Sequence, residues 1–161
     1  MRYPLVATLF AIAAMLAGST GHAQHAGAPT AKHGQSTSTD GRELVHLPPP
    51  MVDHMLSNMR DHLLALQEML DAMAKGEMDR VAEIAERRLG MTSLQLHGAH
   101  DMSKFMPKGM QDAGSGMHRA ANRLAVAATD AGVTGDLKPA LAAMATVTAQ
   151  CAGCHAGYRV K

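Results

Sequence analysis

The chain has 161 residues, enough for one domain with appendages. Its 15 basic and 14 acidic residues nearly cancel, which excludes the electrostatic footprint of a nucleic-acid binder. With two Tyr, two Phe and no Trp, the core must take its bulk from elsewhere, and 14 Met are available for that.

The first 23 residues have the form of an export signal. Arg2 gives a positive start, Leu5 to Ala17 is an uncharged apolar run, and Gly21-His22-Ala23 offers small residues at the two positions a signal peptidase reads. The run is too short to span a bilayer, so cleavage after Ala23 and residence in the periplasm are expected. Arg2 is the only charge in this segment, so the mature chain would hold 14 residues of each sign. Residues 24–46 are rich in Gly, Ala, Ser, Thr and His, with little to bury, and a disordered linker is expected there. His25, His33 and His46 could pick up a metal ion, although scattered histidines on a solvated tail are the plainer reading.

Pro48-Pro49-Pro50 ends the linker and predicts a helix start, since proline fits the first helical turn. Three heptad series follow: Val52, Met59, Leu66 and Met73; Leu56, Leu63 and Leu70; Met55, His62 and Met69. Together they predict one broad buried stripe on a first helix that ends at Ala74-Lys75-Gly76. A second helix is expected from about Glu77 to Leu96, burying Val81, Ile84, Ala85, Leu89 and Leu96. His97 to Gly109 predicts a long connection. A third helix, about Met110 to Ala131, should bury Met110, Met117, Ala121, Leu124 and Ala128, with Gly114 and Gly116 weakening its start. The fourth begins near Asp136, with Leu137, Leu141, Met144, Val147, Cys151, Cys154 and Tyr158 near one side. No stretch alternates long enough to predict a strand. Four helices of similar length with short connections predict an all-α, antiparallel four-helix bundle over residues 47–161.

The two cysteines stand in Cys151-Ala152-Gly153-Cys154-His155, the C-x-x-C-H signature of covalent c-type haem attachment. Each thiol adds to one vinyl group at the haem edge, so the sulfurs must lie one helical turn apart. The next residue then brings a neutral imidazole to the iron. A structural disulfide and a zinc site helped by His97 and His100 are the competing readings. A thioredoxin-like dithiol would need a βαβ context that is missing. His97, His100 and Asp101 could form a weak metal site, a polar loop being the plainer reading. No Ser-His-Asp signature, phosphate loop or nucleotide fingerprint is present, so no enzymatic chemistry is expected.

Only six residues follow His155, and none is Met or His, so any second axial ligand must come from upstream. The terminal run C-A-G-C-H-A-G-Y-R-V-K, with Tyr158 and Arg159 after the histidine, resembles the class II c-type cytochromes, cytochrome c prime and its low-spin Met-ligated relatives. The stripe M-L-S-N-M-R-D-H-L and the turn A-K-G-E-M extend the resemblance over residues 47–161. Family members often carry an Arg early in the first helix, where this chain has prolines and places Arg60 later. The resemblance implies one haem c, held by Cys151 and Cys154 with His155 on the iron, and a distal group from the first helix. The A-K-G-E-M register points to Met59 as that group; Met55, His62 or an empty distal side are the alternatives. The implied function is one-electron transfer with periplasmic or membrane-bound redox partner proteins, without a membrane span once the signal is gone. The alternative is a five-coordinate protein that binds nitric oxide or carbon monoxide. Pairing through the first helix, common in the family, leaves room for a homodimer.

Overall fold

Three consecutive prolines fix the backbone ahead of the first long helix, and the chain enters it at Pro49. In the computed structural model, which describes residues 40–161, the order is strand β1 (Glu43–Val45), helices α1 (Pro49–Lys75) and α2 (Met78–Ile84), a π turn (Ala85–Leu89), a 3-10 turn (Met91–Leu94), helices α3 (Ala99–Ser103), α4 (Lys108–Thr134) and α5 (Lys138–Gly157), and strand β2 (Tyr158–Val160). Helix accounts for 78% of these residues, and there is no closed sheet among them. The expected signal and most of the linker, His25 and His33 included, lie outside the described residues. No helix of the described residues is long and apolar enough to cross a membrane.

The first helix ends where its sequence predicts. Gly76 takes the left-handed conformation at φ 75°. Its N–H donates to Met73 O at 3.1 Å and the Glu77 N–H donates to Ala72 O at 2.9 Å, the paired bonds of a Schellman close. The buried face of α1 is narrower than the heptads suggest. Met55, Asn58, His62, Ala65, Met69, Ala72 and Met73 are buried, while Leu56, Leu63 and Leu70 are exposed. The three leucines share one heptad position and so face one way, which here is solvent.

The second helix differs more. Instead of running to Leu96 it passes into a single π turn and stops at Gly90, whose backbone is extended. A Cβ at Gly90 would collide with the Glu86 carbonyl, so only glycine permits this close return. The chain then turns through Met91–Leu94, and Leu96 is left 73% exposed rather than buried. The connection from His97 to Gly109 contains the short helix α3, and Pro107 caps α4. The glycines near the start of α4 leave it unbroken. Met110, Met117, Ala121, Leu124 and Ala128 are buried as the periodicity predicts. On α5 the inner residues are Ala140, Met144 and Val147, whereas Leu137 and Leu141 face outward.

Two small strands escaped the sequence reading because three residues are too few for a periodic signal. β1 pairs in parallel with β2, Leu44 opposite Arg159. The Lys161 N–H donates to Val45 O at 3.1 Å and the Leu47 N–H donates to Lys161 O at 3.2 Å. The end of the expected linker is therefore ordered, with Val45 and Leu47 buried. Their side chains found apolar partners in Met55, Met102 and Met110.

The closest backbone packing is α4 on α5 and α2 on α4, while α1 packs on α2 and the π turn. Approaches between α1 and α5 are sparse by comparison. The main core runs through α1, α2, α4 and α5 around Met69, Val81, Leu124 and Val147. A second core, rich in methionine, joins β1 to the starts of α1 and α4.

Candidate functional site

Helix α5 carries the C-x-x-C-H run on its last turns. Asp136 Oδ1 accepts the Lys138 N–H at 3.0 Å at its start, and β2 continues directly from its end. Cys151 and Cys154 are therefore one turn apart on a helix, as double attachment requires. Both thiols are free and half-buried. Cys151 packs on the main core and Cys154 on the second, so the pair straddles the boundary between the two.

That boundary is a cavity of about 300 Å³. Cys151, Cys154 and His155 line it from α5; Met55, Met59 and His62 line it from α1; Met117 and His118 line it from α4. The exposed Leu63 lies at its edge, so it opens to solvent on the α1 side. Every residue singled out from the sequence as a haem anchor or distal candidate thus borders one space, although Met55 and His155 lie 100 positions apart in the chain.

The three distal candidates differ in surroundings. Met55 is buried in the second core. His62 is buried, and its Nε2 has no hydrogen-bond partner. Met59 is half-buried and belongs to neither core. Arg60, the departure from the family pattern, is exposed.

Burial pushes the thiols of Cys151 and Cys154 upward from their ordinary range. A redox-active dithiol needs the opposite shift, toward thiolate, so the pair is poorly suited to thiol–disulfide exchange. Burial also pulls the imidazole of His62 down to about 4, with the neighbouring His97 and His118 acting in the same direction. His97 and His118 are likewise lowered, chiefly by burial. In all three rings the shift favours the neutral form.

Comparison with protein-family models, curated proteins and solved structures finds no match.

Around His62 the structure gathers residues that the sequence left scattered. His97 lies 4.7 Å from it between ring centroids, and His118 lies 6.2 Å away. The Asn58 amide donates to His97 O at 3.0 Å. On the outer side, Arg88 of the π turn pairs with Asp61 and, at 2.8 Å, with Glu68, tying α1 to the second helical segment. His100, which the weak metal-site alternative would join to His97, is exposed. His118 carries no motif of its own in the sequence, but it lies one residue after Met117 and three before Ala121 on the inner face of α4.

Proposed function

We propose that the chain is an exported, periplasmic c-type cytochrome of the class II type, an antiparallel four-helix bundle that carries electrons one at a time. The observation that supports this most is the shared cavity. It joins a helical C-x-x-C-H motif to a methionine-bearing face of α1, in the gap where α1 and α5 approach only sparsely. A haem fits this donor set. Its two attachment thiols are free, its proximal imidazole follows directly, and the lining is dominated by Met, Leu, Ala and other apolar groups. When bound, the haem supplies an iron that cycles between ferric and ferrous states.

In this reading the chain's own residues hold, orient and shield. Cys151 and Cys154 anchor the macrocycle through thioether bonds. His155 donates a ring nitrogen from the proximal side. Met59 is the distal ligand: it is committed to neither core, so its thioether can turn into the cavity without emptying packed space. Met ligation raises the reduction potential and closes the iron to exogenous ligands. Met55 and His62 are the alternatives on the same face of α1. The partners are other periplasmic or membrane-bound redox proteins, and a homodimer through α1 has Leu56, Leu63 and Leu70 exposed for it.

The optical spectrum of the reduced protein tests this function. Electron transfer with Met59 bound requires a low-spin spectrum unchanged by carbon monoxide. A high-spin spectrum that shifts with carbon monoxide would assign the protein to gas binding instead.

A further inference from the structure

We infer that Gly114 is the size-determining position of the cavity on α4, where a missing side chain keeps room for the flat macrocycle. The inference rests on the haem reading and adds to it a residue that no attachment motif marks.

Glycine inside a helix destabilises it relative to alanine, because more backbone freedom is lost and no side chain packs. Helix α4 nevertheless carries Gly109, Gly114 and Gly116 near its start and stays unbroken. Two of the three are explained by protein neighbours. A Cβ at Gly109 would collide with Tyr158 Oη, and one at Gly116 would lie 2.7 Å from Gln150 Oε1. Both glycines thus make room for side chains that follow α4 in the chain. Gly114 differs. A Cβ there meets no atom within 4 Å, and the residue lines the cavity beside Ala113 and Ser115.

The neighbours one turn away are held so that they do not cover this bare stretch of backbone. Gln111 Nε2 donates to Ser103 O at 3.0 Å and to Met106 O at 2.9 Å. His118 is buried, and its Nδ1 donates to Leu89 O at 2.7 Å. Met117 is packed in the main core. Each would have to give up a bond or a buried contact to swing over Gly114. Protein interiors are otherwise close-packed, so a fixed, uncovered helix backbone beside an apolar cavity suits the close approach of a bound group. A second observation points the same way. His62 lines this cavity, is nine-tenths buried, and has an Nε2 that no protein atom satisfies.

The test compares melting temperatures of the full-length chain with haem and without it, the haem-free form carrying Cys151→Ala/Cys154→Ala. Without haem, Gly114→Ala should raise the melting temperature by about 2–4 °C, the usual gain at an unstrained helical glycine. Gly114→Leu should not lower it there, because its Cβ meets no protein atom. With haem the sign should reverse: Gly114→Leu melts several degrees below the wild type, or leaves the chain without covalent haem in an intact-mass measurement. Gly109→Ala should lower the melt in both forms, since Tyr158 stands over it in both. If Gly114→Leu lowers the haem-free melt as much as Gly109→Ala does, the position is ordinary packing and the inference falls. It falls equally if Gly114→Leu keeps full haem and an unshifted melt. A wild-type chain without covalent haem would instead overturn the haem reading, and this inference with it.

Discussion

At the scale of single residues, the chemistry converges on α1. Met59→Ala should convert a low-spin spectrum to a high-spin one that responds to carbon monoxide, with little loss of stability, because Met59 is packed in neither core. An unchanged low-spin spectrum would pass the ligand role to Met55 or His62. The buried imidazoles make a separate prediction. His62 has its pKa lowered to about 4 from an ordinary 6.5, by burial first and by His97 and His118 next. Between those values the unfolded chain binds more protons than the folded one, so stability falls as pH falls through that window. One such ring gives a slope of up to about 1.4 kcal/mol per pH unit, and His97 and His118 add to it. Urea titrations at pH 7 and pH 5 should show the loss; equal midpoints would mean that the rings titrate no lower in the folded chain than in the unfolded one. The run Cys151 to His155 was legible in the sequence as a local helical cluster because its residues are adjacent in the chain. The histidine cluster was not, since His62, His97 and His118 come from three separate segments and only folding brings them together.

At the scale of elements, ends proved more legible than faces. The close of α1 was readable because Lys75-Gly76 encodes a local left-handed turn that depends on little else. Nothing lies within 4 Å of a Cβ at Gly76, so Gly76→Ala should cost about 1 kcal/mol from backbone strain alone and leave the spectrum unaltered. The faces were misread where apolar residues outnumber buried positions. Leu56, Leu63 and Leu70 keep the heptad period, and Leu137 and Leu141 the four-residue helical spacing, yet all five face solvent, because period fixes a stripe but not its width. The break at Gly90 was also hidden, since the pattern from Val81 to Leu89 gives no warning of a π turn. Gly90→Ala should be far more damaging than Gly76→Ala. Its Cβ meets the Glu86 backbone, and the shift would move Ser93 and His97 away from the cluster they support. Thermal melts of the two variants would show the order; equal losses would contradict it.

For the whole molecule, the small sheet links the two ends of the described chain. β1 pairs with β2 immediately after the C-x-x-C-H turn, and the methionine-rich second core sits beneath it. Val45 is 4% exposed there, so Val45→Ala should cost about 2 kcal/mol and loosen the end of α5 that bears His155. Helical content and chain order were legible from periodicity, proline and glycine. The strands were not, because their stability comes from contacts across more than a hundred residues of sequence. The cavity between the two cores is what the haem reading needs from the fold, and covalent attachment is what it needs from the chemistry. Intact-mass measurement of protein exported from a host with a working cytochrome c maturation pathway tests that attachment most directly. The mass of one haem should remain on the denatured chain, and be lost when Cys151 and Cys154 are both replaced by Ala. A bare polypeptide mass with two titratable thiols would contradict it.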